Sequence, residues 1–174
     1  NGAAVTAQTP GGTGALRVGA ESLHRFRPGA AVWVSDPTWA NHAGVFGAAG
    51  CEVKKYPYFD AAGHGLAREA MLESLASVPA GDIVVLHACC HNPTGIDPDA
   101  ETWAAIADRA ASAGWIPFVD FAYQGFGDGL EQDRAGLHAL LEKADEAVIA
   151  TSCSKNFGLY RERVGALTLV GRAA

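Results

Sequence analysis

Short runs rich in Val, Ile and Leu recur along the chain, and a stretch with helical spacing separates almost every consecutive pair. The runs fall at 3–8, 31–35, 51–56, 82–88, 115–120, 147–151 and 164–170, and the helical stretches at 13–26, 39–49, 66–77, 99–113 and 134–144. Several helices are closed by Gly50, Gly114, Pro28 or Pro79, residues that stop a helix by turning left-handed or by lacking an N–H. Alternation of this kind packs through right-handed crossovers, so the predicted fold is α/β, a mostly parallel seven-stranded sheet with helices on both faces. Only residues 152–163 separate the last two runs, with no clear amphipathic helix among them, which predicts that the last strand runs antiparallel. No repeat, low-complexity tract or linker marks a boundary, and residues 1–174 read as one domain. A chain of this length buries roughly 70% of its unfolded surface and needs no disulfide or metal for stability.

Charge and cysteine usage narrow the function. Thirteen basic against nineteen acidic residues leave a net charge of −6 with no clustered Lys/Arg face, which argues against a nucleic-acid partner. No apolar run approaches the roughly 18 residues of a membrane span, and the N-terminus lacks the layout of a signal peptide, so a cytoplasmic protein without a membrane partner is expected. Cys51, Cys89, Cys90 and Cys153 show no C-x-x-C spacing and suit reduced thiols, with no metal expected. The single methionine is Met71, so the chain is either processed or a piece of something longer.

Ligands of open parallel sheets collect at the carboxyl ends of strands, and four loops there are unusual. Thr9-Pro10-Gly11-Gly12-Thr13-Gly14 opens a helix with free backbone N–H groups suited to a phosphate, although it lacks the spacing of a P-loop and also reads as an ordinary turn. His87-Ala88-Cys89-Cys90-His91-Asn92-Pro93-Thr94-Gly95 empties a buried strand into a polar turn; the two histidines four apart suit a metal only on a helix. Asp120 ends a strand of Trp, Ile, Phe and Val, where a carboxylate is costly unless a cation or strong donor meets it, and Tyr123 follows. Lys155 leaves a strand through the small-residue turn Thr151-Ser152-Cys153-Ser154, a better setting for amine chemistry than a helix face.

A phosphate cradle, a carboxylate, an amine and phenol or amide donors around one cleft suit pyridoxal phosphate. The chain resembles the fold type I aminotransferases, specifically the aspartate and aromatic amino acid aminotransferase family. The resemblance rests on residues 6–17, Cys90-His91-Asn92-Pro93-Thr94-Gly95, Asp120-Phe121-Ala122-Tyr123-Gln124-Gly125-Phe126, Ser152-Cys153-Ser154-Lys155-Asn156-Phe157 and Glu162-Arg163-Val164-Gly165, in order along nearly the whole chain.

The resemblance implies that Lys155 forms the Schiff base with the cofactor aldehyde and then serves as general base, a role for an amine that is uncharged part of the time. It implies that Asp120 pairs with the protonated pyridine nitrogen, an attraction of about 5 kcal/mol at ~3 Å and an effective dielectric near 20 before desolvation is charged against it. Asn92 and Tyr123 are expected on the ring's phenolic oxygen, Trp39 against the ring face, and His42 behind Asp120. Gly12, Thr13, Ser152 and Arg163 are expected on the phosphate, with Ser154 nearby. Lys155, Asp120 and Tyr123 form the expected catalytic set; Trp39 and Asn92 also face substrate.

The implied reaction is transamination between an aromatic or acidic L-amino acid and a 2-oxo acid such as 2-oxoglutarate, in a homodimer. Residues 18–20, 35–39 and 124–127 look more like bacterial aromatic members. Family members run to about 400 residues, so the chain is expected to be the large-domain core without the N-terminal arm or the C-terminal small domain. Two other readings compete: a nucleotide-binding α/β module using the glycine turn, and a non-catalytic fragment.

Overall fold

The computed structural model describes residues 2–172. Nine strands and five α-helices follow the order β1 (Gly2–Pro10), α1 (Gly11–Phe26), β2 (Val32–Asp36), α2 (Asn41–Ala48), β3 (Val53–Pro57), β4 (Phe59–Asp60), β5 (Gly65–Leu66), α3 (Arg68–Ala76), β6 (Ile83–His87), α4 (Ala100–Ala113), β7 (Ile116–Phe121), α5 (Ala135–Lys143), β8 (Glu146–Ser152) and β9 (Val164–Arg172) among the described residues. Seven strands form one sheet in the order β1-β9-β8-β7-β6-β2-β3. The block from β8 to β3 is parallel, and β9 runs antiparallel to both β8 and β1. The expected α/β architecture and antiparallel last strand are therefore found. The β4–β5 hairpin is an addition that two-residue strands leave no periodicity to reveal.

Period-two alternation divides the two cores. On β6, Ile83 and Val85 face α1 and α2, while Val84 and Leu86 face α3 and α4; on β7, Ile116 and Phe118 take the first face and Val119 and Phe121 the second. Both strands are buried along their whole length, as expected of central parallel strands covered on both sides. Helix α4 shows how local chemistry sets boundaries: the Thr102 amide donates to Asp99 Oδ1 at 2.8 Å, and Gly114 closes the last turn at φ 77°.

Helix α1 needs small residues to lie close to the sheet. A Cβ on Gly19 would stand 2.6 Å from Phe118 Cζ. Tighter still is the start of β9, where a Cβ on Gly165 would meet the Gly11 carbonyl carbon at 2.5 Å and the Thr151 oxygen at 2.6 Å. Those neighbours are backbone and have no rotamer into which to withdraw. Gly165→Ala is expected to destabilise the chain by about 2 kcal/mol or more through overpacking, read as a lower urea midpoint; an unchanged midpoint would show that the α1–β8–β9 junction is looser than described.

Candidate active site

Because β1, β2, β6, β7 and β8 all point the same way and β9 points back, five strand exits and one strand entry meet on one edge of the sheet. A cleft of about 210 Å³ lies there. The exit of β1 contributes Gly12 and Thr13 at the start of α1, and the exit of β2 contributes Trp39. Asn92 follows β6, Asp120 and Tyr123 come from the end of β7, Ser152, Ser154 and Lys155 from the end of β8, and Arg163 from the residue before β9. Every residue expected from the sequence to hold a cofactor thus lines one cleft.

Strand parity explains the carboxylate. Asp120 shares the face of Ile116 and Phe118, the side covered by α2, and there it meets the ring of His42, with Nε2 donating to Oδ2 at 2.9 Å. His42 is fully buried and Asp120 is 8% exposed. With Nε2 as donor, His42 Nδ1 accepts from Thr38 Oγ1 at 2.8 Å, and Thr38 in turn accepts from His87 Nε2 at 3.1 Å. His87 is in register with Asp120 across β6 and β7. Behind it His91 bonds Ser35 and Thr94 through its two ring nitrogens, at 2.9 and 2.8 Å, and stacks on Tyr58 with ring centroids 3.8 Å apart. The two histidines singled out in the sequence therefore engage hydroxyls and rings.

Burial sets their protonation. Desolvation, with the nearby His91 and His42 rings, pushes His87 well below the ordinary histidine value. Desolvation, with His42 next, pushes His91 down to about 4. Both rings are neutral at pH 7, which suits a network of alternating donors and acceptors.

The other side of the cleft is cationic. Lys155 Nζ stands 4.3 Å from the Tyr123 ring centroid and 5.8 Å from that of Tyr160. The Arg163 guanidinium donates to Ser154 Oγ at 3.3 Å and to the Tyr160 carbonyl at 2.9 Å, occupying the space that a Cβ on Gly11 would need. Neither cation is among the ion pairs found in the described residues. The first turn of α1, whose Gly12 and Thr13 line the cleft, carries no acidic residue and no side-chain cap.

Several lining residues were not foreseen: Leu16, Ala122, Tyr160 and His87. Parity along β6 could have placed His87 beside Asp120, since positions 83, 85 and 87 share a face. Tyr160 belongs to an irregular segment without periodicity. Thr38 joins His42 to His87 through space, across a sequence gap with no motif.

Comparison with known proteins identifies the family. The family model "Aminotransferase class I and II" matches residues 2–174. The aspartate aminotransferase of Salmonella typhi is 56% identical over 97% of the chain, which covers 43% of that relative. The aromatic-amino-acid aminotransferase of Pseudomonas aeruginosa is 49% identical over 96% of the chain and is covered to 42%. A crystal structure of the aromatic-amino-acid aminotransferase of Burkholderia pseudomallei, described as covalently bound to pyridoxal phosphate, superposes with a TM-score of 0.96 at 45% identity, over 98% of this chain and 43% of that one. The chain belongs to the class I and II aminotransferase family, and it spans less than half the length of these relatives.

The histidine network carries a pH dependence. An unfolded chain titrates its histidines near 6.5, whereas folded His91 takes up its proton only near pH 4. Between those values the unfolded state binds more protons, so stability falls as pH drops through the window. Urea midpoints should decrease from pH 7 to 4.5, and His91→Gln should remove about 2 kcal/mol of that decrease even if it lowers stability at neutral pH. An unaltered slope would show that His91 is not held neutral by its surroundings of His42, His87 and Tyr58.

Proposed function

We propose that residues 1–174 form the cofactor-binding core of a pyridoxal phosphate-dependent aminotransferase, which moves an amino group between an acidic or aromatic L-amino acid and a 2-oxo acid such as 2-oxoglutarate. The observation that carries this reading is the presence in one cleft of two cations without carboxylate partners among the described residues, Lys155 and Arg163, and of the buried carboxylate Asp120.

The donor set fits the cofactor part by part. An uncapped helix start at Gly12 and Thr13, the hydroxyls of Ser152 and Ser154 and the Arg163 guanidinium suit a phosphate, for which a forked cation and backbone amides are strong partners. Asp120, oriented by His42, suits a protonated ring nitrogen. Asn92 and Tyr123 suit a phenolic oxygen, and Trp39 offers an aromatic face. When bound, pyridoxal phosphate supplies a conjugated ring able to spread the charge left on a substrate carbon that loses its proton.

Within this reading the Lys155 amine is both the point of attachment and the carrier of the substrate's α-proton. Asp120 favours protonation of the ring nitrogen through its charge. Trp39 shields one side of the ring and, with Asn92, borders the space left for substrate. Grip on the substrate's α-carboxylate is assigned to protein outside the 174 residues. The resemblance of residues 18–20, 35–39 and 124–127 to aromatic members is offset by the higher identity to an aspartate aminotransferase, so both substrate classes stay within the proposal. A cytoplasmic homodimer completes it.

Pyridoxal phosphate added to the purified chain, followed by borohydride and peptide mass mapping, should place the label on Lys155 and leave Lys54, Lys55 and Lys143 unmodified. Lys155→Ala should take no specific label. Asp120→Ala should weaken cofactor binding by about tenfold or more, each 1.4 kcal/mol of lost attraction being one decade. Label spread over surface lysines, or protection by a nucleotide with no response to pyridoxal phosphate, would overturn the assignment.

A further inference from the structure

Asp133 lies outside the cleft, 5% exposed, in the 3₁₀ turn Gln132–Arg134 that leads into α5. Its carboxylate is unusually committed. Oδ2 accepts from the Gly125 and Gly127 amides at 2.7 and 3.1 Å, and Oδ1 from those of Asp128 and Gly129 at 2.7 and 3.3 Å. Burial pushes the carboxyl up, but the four amides outweigh it and hold Asp133 below the usual aspartate value.

The backbone it grips begins at Tyr123. The Phe126 amide donates to the Tyr123 carbonyl at 3.0 Å, in a turn whose Gly125 has φ 95°. Gln124 Nε2 reaches across to the Leu130 carbonyl at 3.0 Å, and the Asp133 amide closes on the Gly129 carbonyl at 2.9 Å. A Cβ on Gly127 would lie 2.6 Å from Asp133 Oδ1, so the glycine lets the chain wrap the carboxylate. Burial first, and then the Asp133 charge, push the Cys89 thiol up. One side chain therefore closes the loop that carries Tyr123, a donor assigned to the cofactor's phenolic oxygen.

We infer that Asp133 is a positioning residue of the cleft, which fixes the Tyr123 phenol by gripping the amides of Gly125, Gly127, Asp128 and Gly129. The inference rests on the proposed function only for what Tyr123 faces; the grip itself is a property of the cofactor-free chain.

Two readouts separate these parts. In the cofactor-free chain, Asp133→Asn should speed hydrogen exchange of the 125–129 amides by about tenfold or more while the amides of β6 and β7 stay protected; unchanged protection of that loop overturns the inference. If the variant does not fold, the wild-type chain decides: acid titration by NMR should move the four amide protons with one shared midpoint below that of an ordinary aspartate, and separate midpoints overturn the grip.

With pyridoxal phosphate bound, Tyr123→Phe should shift the pH midpoint of the visible absorbance band. Asp133→Asn should shift it the same way, and the double variant no further than Tyr123→Phe alone. Independent, additive shifts would reduce Asp133 to a structural anchor and overturn the positioning role. A chain that takes no pyridoxal phosphate at Lys155 would count against the proposed function, and the exchange result would then stand for the loop by itself.

Discussion

A carboxylate buried at the end of a wholly apolar strand is the demand around which the site is organised. Asp120 is tolerable there because His42 meets it from α2, and a buried, hydrogen-bonded pair is stable only if its outer atoms are also satisfied. That requirement propagates: His42 needs Thr38, Thr38 needs His87, and the next ring along, His91, finds Ser35, Thr94 and the face of Tyr58. Four chain segments are thereby fixed relative to one carboxylate, and the network holds only while the outer rings stay neutral. Burial does most of this, and the neighbouring histidine rings, which disfavour a second positive charge beside them, add to it.

The opposite wall follows a different rule. The chain is acidic overall, yet the cleft presents Lys155, Arg163 and an uncapped helix start, with neither cation in an ion pair among the described residues. Like charges gathered without partners cost stability unless an anion is expected to join them. Arg163 adds backbone strain at φ 57°, an αL conformation uncommon for a residue with a side chain. Under the proposed function an anionic cofactor group answers that cost, and the close Gly11–Gly165 backbone approach lets the helix start, the serine turn and the arginine share one spot.

The fold was legible because its signal is periodic. Buried parallel strands read as runs of Val and Ile and intervening helices as stripes, and even the reversal of β9 showed in the missing crossover. What the sequence concealed was short or non-local. The β4–β5 hairpin pairs two residues with two, and Thr38 matters only because folding carries it to His87. The site residues were legible for another reason: Lys155, Asp120 and the Asn92 turn stand at the ends of strands on one edge, while Arg163 and the role of each residue came from the family resemblance. Asp133 escaped notice because its partners are backbone amides, which no residue pattern reports.

Rigidity of the loops is the remaining step between fold and site. The central strands β6 and β7 end in polar loops rather than helices, and backbone N–H groups there have no ladder to satisfy them. Two aspartates supply the acceptors: Asp97 takes the Cys90 and His91 amides at 2.6 and 2.8 Å, and Asp133 takes four amides beyond Tyr123. A carboxylate accepting several charge-assisted bonds ties down an irregular segment, each such bond being stronger than a neutral one. Asn92 and Tyr123 can therefore be carried by loops and still face the cleft from fixed directions, which is what a site must achieve when the sheet edge offers only the ends of its strands.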